Sequence, residues 1–403
     1  MIRHALALTV LMLGSSVFAG EHWPSFRNAG TSTVKVDAPP IRWSPDKGIT
    51  WQVTLPGYGQ SSPVVWGQTA FVTSSDGPWQ QRLSVHAIDL KSGKIRWTSQ
   101  MKATTKVENY FRNSRAAPTC VVDSQRIISF FASGDVTATS HEGETLWSTP
   151  LFVNYEAVEN ERGNASSLAQ NDELVFALVD HDGPSYLIAL NKSDGSEAWK
   201  ADRGKRVPSW SSPVLVSTED TQLVVVSSSD SVAAYEANYG QQVWELKDMV
   251  GNHIPSATVS GASVYTGSTK MFHQRGVAED KIAGSNCRID LQGNQYQVRW
   301  GAERANSYYS SPLVFAGYVY YVSKVGVLYC VKADTGKQLF AKRIGNPCWA
   351  SSIGVTRPTG EQYVYLFTKN GFTIVIRPGD EYDQVARNQL WDAEAMKEAA
   401  DAA

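Results

Sequence analysis

The residues in this sequence that could do chemistry do not sit in an enzyme motif. There is no G-x-S-x-G, no H-E-x-x-H, and no P-loop or dinucleotide fingerprint. Polar and aromatic side chains instead recur at one kind of place, just before a repeated opening of two small residues and proline. Tyr58 and Gln60 precede Ser61-Ser62-Pro63, and Arg112, Asn113 and Arg115 precede Ala116-Ala117-Pro118. Arg162 and Asn164 precede Ser166-Ser167, Ser209 and Trp210 precede Ser211-Ser212-Pro213, and Asn252 and His253 precede Pro255-Ser256. Asn306 and Tyr308 precede Ser310-Ser311-Pro312, and Asn346 and Trp349 precede Ser351-Ser352. Guanidinium, amide and ring groups that converge from different repeats make a polar mouth with stacking faces. Arg112, Asn113, Arg115, Asn164, Trp210, His253, Tyr308 and Trp349 are therefore the expected ligand or partner contacts. The plainer alternative is that they hydrate strand ends around a water-filled channel, with His253 a hydrogen-bonded structural residue. No catalytic residue or metal ligand is expected. Asp180-His181-Asp182-Gly183 resembles the start of a calcium loop but lacks the remaining ligands, so it reads as a turn.

Those loops need a scaffold, and the scaffold is visible in residues 84–97, SVHAIDLKSGKIRW. Two alternating runs flank a short loop with Gly93 at the position that needs positive φ, the pattern of a β-hairpin. The hairpin returns. Gly195 leads to Trp199, Gly240 to Trp244 and Gly336 to Phe340, with looser copies from Gly143 to Trp147 and from Gly293 to Trp300. Trp51 stands in the same slot upstream, inside an expected outer strand over residues 49–55. The slot recurs every roughly 40 to 56 residues, a period that predicts a β-propeller with about four strands per blade. Asp89, Gly93, Trp97, Trp147, Gly195, Trp199, Gly240, Trp244, Trp300 and Gly336 are accordingly structural: carboxylates for turn amides, glycines for the turn, indoles for the blade interfaces.

Seven openings, near residues 61, 116, 166, 211, 255, 310 and 351, predict an all-β propeller of seven four-stranded blades. Counting outer strands gives eight, because residues 49–53 add one, so an eighth, incomplete blade is the alternative. The organisation expected is a signal peptide at 1–19, a lead-in at 20–48 pinned to the propeller wall by Trp23, Phe26 and Trp43, the propeller at 49–391 and a tail at 392–403. The signal reading rests on Arg3, the apolar run of residues 5–13 and small residues ending at Ala19. It predicts a periplasmic or secreted monomer. No later run is long and apolar enough for a spanning helix.

The chain has 403 residues, 42% of them hydrophobic and 11% aromatic, which excludes disorder. A formal charge of −2 argues against nucleic acid as a partner. The partner expected is an envelope protein, or a small ligand or glycan. Four cysteines, none in C-x-x-C spacing, give no support to zinc or dithiol chemistry. Buried free thiols are the default, with a Cys330–Cys348 disulfide as the alternative.

The repeat built on Ala87, Asp89, Gly93 and Trp97 resembles the pyrroloquinoline-quinone-like (PQQ-like) propeller repeat. WPSFRNAGTS, ITWQVTLPGYGQSSPVVWG and YVYLFTKNGFTIVIRPGDEYDQVARNQLW resemble the secreted repeat proteins grouped with the outer-membrane assembly factor BamB. The resemblance covers residues 23–391. It implies a binding or assembly scaffold, and usually eight blades with a final short repeat after the segment matching residues 380–390, which this sequence does not carry. Its other branch is the quinoprotein dehydrogenases, which hold PQQ on the axis with calcium, an adjacent cysteine pair, a Trp and an Asp base. Trp210 and Trp349 stand just before inner strands and could face the axis, but no adjacent cysteines and no placeable carboxylate set accompany them. No cofactor is expected on the scaffold reading, and PQQ with calcium only on the dehydrogenase one.

Overall fold

The computed structural model describes residues 22–107, 113–155, 162–228, 230–270 and 276–391. The signal segment, Arg112 and the tail at 392–403 lie outside the described residues.

Each of seven antiparallel sheets has four consecutive strands in meander order. Blade 1 is Val64–Trp66, Thr69–Asp76, Arg82–Asp89 and Ile95–Lys102, and blade 4 is Val214–Ser217, Gln222–Ser228, Ser231–Glu236 and Gln242–Leu246. The innermost strands of blades 2, 3, 5, 6 and 7 are Val121–Val122, Ala169–Gln170, Thr258–Ser260, Leu313–Phe315 and Ile353–Thr356. Seven blades is thus the count among the described residues, as the seven sequence openings predict.

The middle strands have both faces buried, which is why they read as continuous apolar runs rather than alternating ones. Val224 and Val226 pack with Phe176 and Trp199 of blade 3, while Leu223 and Val225 pack with Val264 and Ile289 of blade 5. The same two-sided packing joins each consecutive pair of blades from 1 to 7. The remaining face of blade 7 packs on the lead-in. Tyr363, Tyr365 and Val375 there pack against Val34, Val36, Ile41 and Trp43 of the lead-in.

Ring closure therefore differs from expectation. Residues 49–55 form no strand; the backbone there makes no ladder. The extra strand is Thr33–Lys35, which pairs in parallel with Gly354–Thr356 on the inner side of blade 7. Trp51 still fills its repeat slot: its indole lies on Gly93 and donates to the Leu90 carbonyl at 2.7 Å. A single indole can dock without a strand behind it, because the docking needs only the ring, the glycine and one carbonyl.

That docking repeats around the ring. Trp97 lies on Gly143, Trp147 on Gly195, Trp199 on Gly240 and Trp300 on Gly336, each one blade further on. Four of these five indoles bond a carbonyl beside a turn glycine at 2.7–2.9 Å, those of Trp51, Trp97, Trp147 and Trp199. Trp300 does so at 3.0 Å. The turn glycines have φ between +69° and +95°, so the missing Cβ serves both the conformation and the close approach of the ring. Trp244 departs from the pattern: it packs on Tyr296 and its indole N–H has no acceptor.

A second repeat contact runs round the axis. The backbone N–H of Ser62 donates to the Thr119 hydroxyl, Thr119 to Ser167, Ser167 to Ser212, Ser212 to Ser256, Ser256 to Ser311 and Ser311 to Ser351, all at 2.8–3.1 Å. The small residues of the openings are there to fit the crowded axis, and a hydroxyl in each of six openings also supplies the acceptor that joins neighbouring blades. The four cysteines are buried free thiols, so Cys330 and Cys348 are not bridged.

Candidate functional site

The lead-in has two parts: residues 36–43 pack on blade 7, and the residues before them turn inward. Residues 22–35 run through the ring. Trp23 pairs with Val65, and the Pro24 carbonyl accepts from Val122, both at the ends of inner strands away from the opening loops. Arg27, Asn28 and Ala29 then turn sharply, each with φ near +50°. Such a turn is strained for residues with a Cβ and persists where the surroundings over-determine it. The anchor is Arg27, only 4% exposed. Its guanidinium donates to the Ala257 and Pro312 carbonyls at 2.9 Å, to Ser32 at 2.9 Å and to the Thr258 hydroxyl. One side chain thereby ties the lead-in to blades 5 and 6. Burial pulls the Arg27 pKa down, yet a guanidinium keeps its charge, and no carboxylate is among these partners.

Above this plug lies an axial cavity of about 1080 Å³. Its walls are the small residues of the openings, among them Ser62, Ser167, Ser212 and Ser311. Trp23, Phe26 and Arg27 of the lead-in line it as well, and its mouth is formed by Gln60, Asn113, Arg162, Trp210, Tyr308, Tyr309 and Trp349.

Asn113, Trp210, Tyr308 and Trp349, four of the eight expected contacts, face this cavity. Three others do not line it. Arg115 is 3% exposed and donates to the Val107 carbonyl. Its Nε and Nη1 have no acceptor among the described residues, and burial lowers its pKa. Asn164 is buried, and its Oδ1 accepts from the Ser166 N–H at 3.1 Å. His253 is buried, and its carbonyl accepts from the Trp210 N–H at 2.7 Å, so it supports the loop that carries Trp210. These three turn into the blades because successive loop residues point in different directions; Ala165 and Ile254, one position on, face the cavity instead.

The mouth is held from several blades. Asn113 donates to the Arg162 carbonyl at 2.8 Å, and the Trp210 indole to the Gly163 carbonyl at 3.0 Å. Tyr308 and Tyr309 are joined through their hydroxyls at 3.1 Å, and Tyr309 meets Trp349 edge-on at 5.2 Å. Three of the four rim rings carry a cation. Arg162 lies over Trp210 at 5.8 Å, Lys324 over Tyr308 at 5.1 Å and Lys369 over Trp349 at 4.3 Å. Burial and the Tyr308 hydroxyl push the Tyr309 phenol up to about 12, so it stays neutral and accepts from Tyr308. The two lysines come from turns inside blades 6 and 7, which the sequence pattern alone does not connect with the mouth.

Asp180, the suspected calcium-loop residue, is fully buried and paired with Arg203 at 2.7 Å. Quinoprotein chemistry needs carboxylates for calcium and for a base. No Asp or Glu is among the described residues lining the cavity. Nor do the described residues contain a group of three or more His, Cys, Asp or Glu able to hold a metal. The described lining does not fit that cofactor and its ion.

Comparison with known proteins agrees with the fold. The curated BamB of Burkholderia pseudomallei is 25% identical over 232 residues, 57% of this chain and 55% of that protein. The match thus spans about half the length of that relative. The crystal structure of BamB from Moraxella catarrhalis superposes with a TM-score of 0.56 at 14% identity, covering 85% of this chain and 91% of that one. A europium-containing methanol dehydrogenase reaches 0.49 at 12% identity over 86% of this chain and 89% of its own, a likeness too slight to bear on activity. The family model described as outer membrane protein assembly factor BamB matches residues 41–179 and 167–347, most of the chain, and this protein belongs to that family.

Proposed function

We propose that this protein is an exported, non-catalytic scaffold of the cell envelope that holds a partner at the mouth of its ring. The observation that carries the reading is the rim: three aromatic rings from different blades, each with a cation over it, around a cavity whose far side is crossed by the chain's own lead-in. Exposed rings at a concave mouth are costly to leave in water and suit recognition. The relative from Burkholderia pseudomallei is an outer membrane protein assembly factor, which points to an envelope protein as the partner. No described helix is long and apolar enough to cross a membrane, which accords with placing the protein in the periplasm after removal of residues 1–19.

The test is site-specific photo-crosslinking in intact cells, with the reactive residue at Trp349 on the mouth or at Tyr239 on the outer rim of blade 4. A defined envelope-protein adduct from position 349 and not from 239 supports the proposal; adducts from both positions or from neither refute it. The quinoprotein reading has its own check. Purified protein is given PQQ and calcium, and saturable dye reduction with an alcohol or sugar would replace the scaffold reading.

A further inference from the structure

We infer that the axial cavity binds a short acidic glycan, its sugar rings stacked on the mouth aromatics and its anionic groups facing the rim cations. This rests on the mouth being the binding face and names the ligand class.

Charge is the first argument. The charged side chains among the described lining residues, Arg27 and Arg162, are both cationic. Lys324 and Lys369 add two cations over rings that line the same mouth. The whole chain is slightly acidic, with a formal charge of −2, so this one-sided lining is local. A concave, low-dielectric cavity with one sign of charge focuses its field on ligands of the other sign. Arg27 contributes although its donors are occupied, because a buried charge without a counter-charge is screened little.

The second argument is shape. Trp210, Tyr308, Tyr309 and Trp349 present ring faces and edges around the mouth, with the amides of Gln60 and Asn113 between them. A pyranose offers an apolar C–H face to such rings and hydroxyls at its edge to amides and serines. A volume of about 1080 Å³ lies just above the roughly 300–1,000 Å³ of small-molecule sites and has room for several sugar rings.

The third argument sets aside an extended peptide. A peptide entering a propeller axis gains most by adding to the free edge of an inner strand. In blades 1, 2 and 7 the lead-in already bonds to those edges, through Trp23, Pro24 and Thr33–Lys35. At those three blades the cavity offers side chains, not backbone edge.

The test is calorimetric titration of the full chain with trigalacturonate, with maltotriose as the neutral comparator and an octaglutamate peptide as the acidic non-glycan. Expected is trigalacturonate binding that quenches tryptophan fluorescence and weakens as NaCl rises from 50 to 500 mM. Lys369→Gln and Trp349→Ala should each weaken it at least about tenfold, a factor equal to about 1.4 kcal/mol, with unchanged melting. Both side chains are on the surface, so neither change threatens the fold. Three results each overturn the inference: maltotriose binding as tightly, no trigalacturonate binding at millimolar concentration, or octaglutamate binding in its place. If a protein adduct still forms from position 349 in cells, the mouth reading survives that failure; if the adduct is absent too, both fall.

Discussion

Gly240→Ala isolates the contact on which the ring is built. The residue has φ +71°, and a Cβ placed there would lie 2.3 Å from Trp199 Cε3 and 2.6 Å from Cδ2. Gly261 has φ +57° with nothing within 4 Å of its Cβ position. Alanine at either site therefore costs the left-handed strain of an L-residue, about 1–2 kcal/mol. Only at 240 must the indole also move, by roughly an ångström to reach ordinary contact. Overpacking of that kind costs about 1–3 kcal/mol, and the Trp199 bond to the Ala237 carbonyl, at 2.8 Å, contributes about 1 kcal/mol more when it is lost. Gly240→Ala should thus destabilise by about 3–6 kcal/mol and Gly261→Ala by about 1–2 kcal/mol, read from urea unfolding followed by far-UV circular dichroism. In a Trp199→Ala background the Gly240→Ala cost should fall to that of Gly261→Ala, because the ring it collides with is gone. Equal losses at 240 and 261, or no relief in the Trp199→Ala background, would refute indole-on-glycine docking as the joint between blades.

Trp199→Ala alone removes a buried indole and its hydrogen bond, and should cost about 3–5 kcal/mol; a melting shift near zero would contradict the packing described. Burial pushes the Cys120, Cys330 and Cys348 thiols up to about 12 and Cys287 to about 11. Ellman's reagent at pH 8 should therefore label no thiol in the native protein and four in denaturant, and two after unfolding would mean a disulfide. His86 is fully buried between the Ser74 and Thr98 hydroxyls at 2.8 and 2.9 Å, and desolvation lowers its pKa. The unfolded chain then takes up a proton near pH 6.5 that the folded chain refuses. The stability this group supports is complete above that pH and declines as pH falls toward the lowered folded value. His86→Gln should flatten the decline, and an unchanged pH profile would count against the assignment.

The blade count was legible because its marks are local and periodic. A glycine at positive φ, an indole a few residues on and a small-residue opening are each dictated within one repeat, and their recurrence fixes seven sheets. Half of the mouth was legible for the same reason, since Asn113, Trp210, Tyr308 and Trp349 directly precede inner strands. Inside a loop, however, there is no two-residue period to set facing, so Arg115, Asn164 and His253 could not be told from their cavity-facing neighbours. Lys324 and Lys369 belong to a different set of turns and reach the mouth only when the ring is assembled.

The lead-in shows most clearly what tertiary structure alone decided. Residues 22–35 have no copy elsewhere in the chain, so periodicity says nothing about them. Their place is set by Arg27 reaching Ala257 and Pro312, more than two hundred residues away, and by Thr33–Lys35 pairing with blade 7. Sequence by itself determined a repeated wall of seven blades, because each blade is specified by its own neighbours. Only the closed ring decided that the chain's own start would run through its axis and leave an aromatic, cationic cavity, because that arrangement exists only between residues that no local rule connects.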